Sequence, residues 1–319
     1  MFPFLPANYN YNSLGFQSAD MELRTSVGSL TLDNPCILAS GIMDETGEGM
    51  ARVLGSGAAA VVSKSVGISR NAGHANPNFI EEEGFCINAM GLPNPGIKEY
   101  AEEMRIAVAS GKTVGSVYAS SPEEFAELAG CMEDYGACAV ELNLSCPHAA
   151  GYGMEVGTDP RMVGRIVSVV KDAVSIPVWA KLTPNTHILK EIGRSVEDAG
   201  GDAIVAINTL RAMKIIPEFG RPFLSNRFGG LSGSAIRPVG VRAVYDLHSA
   251  VSIPIVGVGG ICDHRDALEY IMAGASAVQI GTAVLKGLDV FSKVNEGLKG
   301  FMKEYGYLSV KDMVGVAHE

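Results

Sequence analysis

Ala173-Val174-Ser175-Ile176-Pro177 leads into the run Val178–Leu182, and Ala250-Val251-Ser252-Ile253-Pro254 leads into Ile255–Val258. The same five residues thus precede two short, β-branched runs of the kind that form buried strands. Six further runs fall at Cys36–Ser40, Ala60–Lys64, Thr113–Val117, Ala139–Leu144, Ala203–Ile207 and Ala277–Ile280, making eight in all. Amphipathic stretches with helical spacing separate them, and strands alternating with helices imply a parallel sheet. The five-residue leader stands before the fifth and seventh runs, whereas glycine-alanine turns precede the even-numbered ones. A repeat of two strand–helix units suits a closed barrel, where alternate strands fill alternate core layers. A doubly wound open sheet gives no reason for such pairs. The expected fold is a (β/α)8 TIM barrel of α/β class. Residues 1–20 form a short N-terminal arm, residues 21–319 one barrel domain, and a hairpin around Leu23–Leu32 precedes the first barrel strand.

Local signals mark the helices. Ser121-Pro122-Glu123-Glu124 combines an N-cap serine, proline at the first helical position and a capping-box glutamate. Asp159-Pro160 and Asp263 open later helices. Gly57, Gly136, Gly200 and Gly274 fall where helices should stop. Two connections, Ser65–Ile97 and Thr209–Arg237, are too long for turns, and a glycine-rich run, Gly151–Gly157, follows the fourth strand. These are expected rim insertions after strands 2, 4 and 6, at the end where barrels keep their chemistry.

With 319 residues, 47% hydrophobic and 19% charged, the composition is that of a globular chain. A net charge of −10 disfavours nucleic acid and anionic membranes as partners. No apolar run reaches membrane-spanning length. Residues 1–20 carry no Lys or Arg and fit neither a secretory signal nor a transit peptide, so the expected location is cytoplasmic. The six cysteines, Cys36, Cys86, Cys131, Cys138, Cys146 and Cys262, form no C-x-x-C pair. A reduced set with no metal site in this chain is expected.

Gly257-Val258-Gly259-Gly260 closes the seventh strand and Gly281-Thr282 the eighth. In barrels this pair of loops commonly binds phosphate, because bare backbone N–H groups can approach an oxyanion. The motif does not say whose phosphate is held. Strand ends also carry Ser63-Lys64-Ser65, Asn143-Leu144-Ser145-Cys146-Pro147-His148, Lys181 and Asn208-Thr209. Lysines and asparagines ending apolar strands need partners, and several at one rim imply a polar ligand. Cys146 opens the loop that runs into the glycine-rich stretch, which can serve as a lid. A thiol there can act as a base if its surroundings favour the thiolate.

Taken together, these residues resemble the class 1 dihydroorotate dehydrogenases, whose base is a cysteine. The similarity runs from Leu23 to the last helix. It is carried by Ala39-Ser40-Gly41, Lys64, Asn88 through Gly96, Asn143-Leu144-Ser145-Cys146-Pro147, Lys181-Leu182-Thr183-Pro184-Asn185, Asn208-Thr209, Gly229-Gly230-Leu231-Ser232-Gly233 and Gly259-Gly260. The resemblance implies oxidation of dihydroorotate to orotate in pyrimidine biosynthesis, with Cys146 removing the C5 proton and the C6 hydride passing to flavin mononucleotide (FMN). It implies flavin contacts from Ser40, Lys64, Ser65, Asn143, Lys181, Ile207, Gly233, Gly259, Gly260, Gly281 and Thr282. It implies substrate contacts from Lys64, Asn88, Ala89, Met90, Gly91, Leu92, Asn143, Asn208 and Thr209.

Two positions depart from the family. His148 replaces an asparagine often found after Cys-Pro and resembles instead the related dihydropyrimidine dehydrogenases that act on uracil-type rings. Ser116 stands where many relatives place a flavin-contacting asparagine. Within class 1, one subtype is a homodimer using fumarate; the other pairs with an iron–sulfur, FAD-bearing subunit that passes electrons to NAD. The Thr209–Gly233 insertion resembles the second more closely, which implies that partner beside a homodimer of this chain. The competing readings are a uracil-type reductase, a colourless phosphate-binding barrel with a Schiff base on Lys181 or Lys64, and a non-catalytic flavin scaffold.

Overall fold

Proline carbonyls begin several strands by accepting from a neighbour: Val140 N–H donates to Pro177 O at 2.8 Å, Ile204 N–H to Pro254 O at 3.0 Å and Val278 N–H to Pro35 O at 2.8 Å. The repeated leader of the sequence is thus the device that starts the fifth and seventh strands in register. The structure, a computed structural model, describes residues 22–145 and 156–318. Eight strands form the barrel: β1 (Cys36–Leu38), β2 (Ala60–Val62), β3 (Thr113–Val117), β4 (Ala139–Asn143), β5 (Val178–Leu182), β6 (Ala203–Ala206), β7 (Ile255–Val258) and β8 (Ala275–Ile280). Each pairs parallel with its neighbours in chain order, and β8 closes the ring on β1 through Val278 opposite Cys36. The flanking helices are α1 (Gly47–Leu54), α2 (Ala101–Ser110), α3 (Pro122–Asp134), α4 (Pro160–Ala173), α5 (Leu189–Asp198), α6 (Arg237–His248), α7 (His264–Met272) and α8 (Val290–Tyr305). The chain therefore folds as the closed (β/α)8 barrel that the repeat implied.

Strand alternation divides the core in two. On β2, Val61 packs outward with the helices, whereas Ala60 and Val62 join an inner cluster with Ile37, Val114, Trp179, Val205, Val256 and Ala277. The expected hairpin is present, Thr25–Val27 against Leu30–Leu32. Val27 and Leu32 are fully buried in the same inner cluster. The hairpin thus plugs the end of the barrel where the strands begin, and Thr25 Oγ1 donates to Ser276 O at 2.7 Å.

Gly57, Gly136, Gly200 and Gly274 all adopt positive φ just beyond helices, as expected for C-terminal stops. One capping detail differs from expectation. Ser121 caps α3 by accepting from Glu124 N–H, but the Glu124 carboxylate accepts from the Ser120 N–H and hydroxyl rather than from Ser121. A reciprocal capping box forms instead at Asp263 and Asp266 on α7.

The two long insertions are not separate loops. Phe79–Glu82 and Phe85–Asn88 from the first, and Gly229–Ser232 and Leu210–Ala212 from the second, pair antiparallel into one four-stranded sheet. Its own small core is Ile87, Ala89 and Leu224. Most of the third expected insertion, after β4, lies outside the described residues.

Candidate active site

The sheet made by the insertions stands over the carboxyl ends of the barrel strands, and between them lies a cavity of about 650 Å3. That volume suits a cofactor together with a small substrate. The strand ends contribute Ser40, Lys64, Ser65, Asn143, Lys181, Ile207, Asn208 and Thr209. The β7 and β8 ends and the Gly233 turn contribute Gly233, Gly259, Gly260, Gly281 and Thr282, and the first insertion contributes Asn88, at the end of its strand, and the following Ala89 through Leu92. Every residue that the resemblance assigned to flavin or substrate contact and that the structure describes therefore lines this one cavity. Cys146 and His148 lie outside the described residues.

Period-two alternation brings the polar groups together. Lys181 and Asn143 face each other in register on β5 and β4, pointing the same way as Trp179 two residues earlier. A hydrogen-bonded row then crosses the mouth. Ser65 Oγ lies 3.2 Å from Ser40 Oγ and 2.8 Å from Ser116 Oγ, and accepts from Asn143 Nδ2 at 3.3 Å. Asn208 Nδ2 donates to Ser145 Oγ at 3.0 Å and to Asn143 Oδ1 at 3.4 Å, while Asn208 Oδ1 accepts from Thr209 N–H at 2.7 Å. Ser116 is fully buried behind Ser65, so it reaches the cavity only through that hydroxyl.

Beside this row sit two buried lysines. Lys64 Nζ is 3.5 Å from Glu45 Oε1, and its backbone N–H donates to the Tyr100 hydroxyl at 3.2 Å. Lys181 Nζ donates to Gln279 Oε1 at 2.9 Å and lies 3.4 Å from Glu141 Oε1. Asp44, fully buried, accepts from the Gly41 N–H and lies 3.4 Å from Ser40 Oγ, holding the turn at the end of β1. Burial pushes its carboxyl above the ordinary carboxylate range, opposed by the nearby charge of Lys64 and the Gly41 N–H.

The glycines explain how backbone closes around the cavity. Gly260 has φ +70°, and a Cβ there would stand 2.6 Å from Gly233 O; Gly233 has φ +91°, and a Cβ there would stand 2.9 Å from Phe85 Cα, so neither residue tolerates a side chain. A Cβ on Gly41 or Gly281 would meet open space or only Ala39, leaving room for a ligand against bare backbone. A flat ring with a phosphate tail fits such a lining: backbone N–H groups for the phosphate, hydroxyls and amides along the ring, and a cation at its inner edge. None of the described cysteines lines the cavity. Burial pushes the Cys138 thiol up to about 11, and burial also raises Cys36, Cys86, Cys131 and Cys262.

Sequence reasoning missed Glu141, Gln279, Asp44 and Tyr100. The first two carried a readable signal. Each is a polar residue at an inward position of an otherwise apolar strand, where it must find a partner. Asp44 and Tyr100 meet only through the tertiary fold, their bond running from the Tyr100 hydroxyl to Asp44 O.

Comparison with known proteins agrees with this geometry. The sequence matches the dihydroorotate dehydrogenase family over residues 22–302. Similar proteins include one from Thermoplasma acidophilum, 52% identical over 93% of this chain and 99% of its own length. Another, from Methanothermobacter thermautotrophicus, is 49% identical over 93% of this chain and 99% of its own. A third, from Pyrococcus furiosus, is 49% identical over 94% of this chain and 100% of its own. All three are named as the catalytic subunit of dihydroorotate dehydrogenase B (NAD(+)). A barrel whose amide row, paired lysines and glycine cradle converge on one mouth, matched along almost its whole length, belongs to the dihydroorotate dehydrogenase family of oxidoreductases.

Proposed function

We propose that this chain oxidises (S)-dihydroorotate to orotate with bound FMN, using Cys146 as the base. The observation that carries the reading is the convergence of Lys64, Asn143, Asn208, Thr209 and Asn88 on the cavity whose far side is the glycine cradle. FMN, when bound, supplies the two-electron acceptor. Amide donors and acceptors of the asparagines match a planar, amide-rich ring, and Lys64 supplies positive charge for the anionic substrate. Cys146, as thiolate, takes the proton from C5 while the hydride leaves C6 on the opposite face of the ring. Lys181 offers a fixed cation where negative charge grows during reduction. Since burial raises all the described cysteines and none of them lines the cavity, no second thiol competes for the role.

The relatives are named as catalytic subunits of an NAD(+) enzyme, and the same division of labour is proposed here. The barrel forms a homodimer, and electrons reach NAD through a separate iron–sulfur, FAD-bearing subunit. No helix among the described residues is long and apolar enough to cross a membrane.

The test is an anaerobic titration of the purified protein. Dihydroorotate should bleach the flavin absorbance, and Cys146→Ala should slow bleaching by about two to four orders of magnitude, the range of general-base catalysis, with flavin still bound. For the wild type, the bleaching rate should climb with pH as the thiol ionises, then level off. Fast reduction in the alanine variant would remove the cysteine from the mechanism. Preferential bleaching by dihydrouracil would move the chain to the uracil-type enzymes.

A further inference from the structure

Three side chains inside the barrel form a closed polar unit that proton removal from the substrate does not require. Glu141 on β4 and Gln279 on β8 are 0% exposed, and Lys181 on β5 is 6% exposed. Lys181 Nζ donates to Gln279 Oε1 at 2.9 Å, Gln279 Nε2 donates to Glu141 Oε2 at 2.6 Å, and Lys181 Nζ lies 3.4 Å from Glu141 Oε1. A carboxylate only accepts and an ammonium only donates, so the amide between them has one allowed orientation. The unit is set into the top of an apolar column, with Trp179 beside Glu141 in register and Ala139 and Ala277 one inward row below.

A buried ion pair contributes little to stability over well-packed apolar residues, so the fold alone gives weak reason to keep charges here. Position suggests another reason. Lys181 and Glu141 both line the cavity, while Gln279 does not. Lys181 springs from the level of Asn143, one inward row nearer the mouth than Glu141, which is level with Trp179. A ligand entering from the mouth therefore meets a cation backed by an anion.

We propose that Glu141 is a positioning residue that sets the flavin's reduction potential through Lys181, with Gln279 bridging the ammonium and the other carboxylate oxygen. The inference rests on the flavin reading above. An ammonium facing the ring stabilises the added negative charge of the reduced state, and a carboxylate just behind it cancels part of that field. In a site shielded from water such cancellation is large. The pair thereby holds the potential below the value that a lone lysine would impose, which leaves the reduced ring able to pass electrons on.

The experiment measures midpoint potentials of the flavin-loaded protein by dye equilibration, without dihydroorotate. Glu141→Gln should shift the oxidised–reduced equilibrium at least tenfold toward the reduced form, a rise of about 30 mV for a two-electron couple. Glu141→Asp, which keeps the charge, should stay within roughly threefold of wild type, about 15 mV. Lys181→Met should lower the potential, and the double variant should fall between the two singles. An unchanged or lowered potential in Glu141→Gln, or an aspartate variant no closer to wild type than the glutamine one, overturns the proposal. If Glu141→Gln does not fold, Gln279→Met carries the test: with the bridging amide gone, Lys181 loses its hydrogen bond there and tightens its 3.4 Å pairing with Glu141, so the potential falls, whereas no change overturns the proposal. A protein that holds flavin yet ignores dihydroorotate sinks the activity reading and leaves this one standing; a protein that holds no flavin sinks both.

Discussion

Asp44 shows how one side chain ties stability to the site. Its carboxylate holds the Gly41 N–H, its carbonyl accepts from Tyr100, and its Oδ1 is buried with no hydrogen-bond partner among the described residues. Burial, the largest influence, raises its pKa, while Lys64 and the Gly41 N–H pull it back. The sign follows from linkage. A raised folded-state pKa means that the native chain binds this proton more tightly than the unfolded one. The resulting stability is fully present below the ordinary carboxylate value of about 3.9 and is lost as pH rises through the raised value. Asp44→Asn keeps an acceptor for Gly41 and cannot ionise. Thermal melts should therefore show the variant gaining on wild type as pH rises through that window, with a constant difference above it. Parallel melting curves across the acid range would mean that Asp44 does not titrate there.

At the scale of elements, the inserted sheet brings the proposed substrate contacts Asn88 and Thr209 together. Gly230 pairs with Asn88, and a Cβ on Gly230 would run into the Thr209 side chain, as one on Gly229 would run into Asn88 O. These glycines are present because two proposed substrate contacts approach the sheet backbone more closely than any side chain permits. Gly230→Ala should displace Thr209, raising KM for dihydroorotate about tenfold, the scale of a 1–3 kcal/mol overpacking strain, while flavin absorbance is retained. A KM unchanged in that variant would show that Thr209 does not touch the substrate. The sheet itself was not legible in the sequence. Two long connections could be read, but the pairing of Leu231 with Ile87 joins segments far apart in the chain, and no local propensity encodes it. The barrel strands were legible because each carries its own alternation and its own glycine or proline punctuation. Glu141 and Gln279 lay between: their positions were readable, but their partnership spans the barrel, from β4 to β8.

The whole molecule separates stability from chemistry along the barrel axis. Hairpin residues Val27 and Leu32 seal one end of an inner apolar column that includes Trp179; the polar unit and the cavity occupy the other. Barrels tolerate this because each layer packs mainly within itself, so the end where strands begin governs stability and the opposite end governs function. Leu32 is 0% exposed, and Leu32→Ala should cost roughly 2–5 kcal/mol through lost burial and the cavity left behind. Trp179, the single tryptophan of the chain, lies between the two ends and reports on both. Its fluorescence should follow unfolding at a lower denaturant midpoint in the variant. Its quenching by added FMN, through energy transfer to the flavin, should give the same affinity as wild type within about threefold, which is under 1 kcal/mol. A much larger loss of flavin affinity in Leu32→Ala would show that the hairpin plug and the mouth are mechanically coupled, and the axial division of labour would then fail for this barrel.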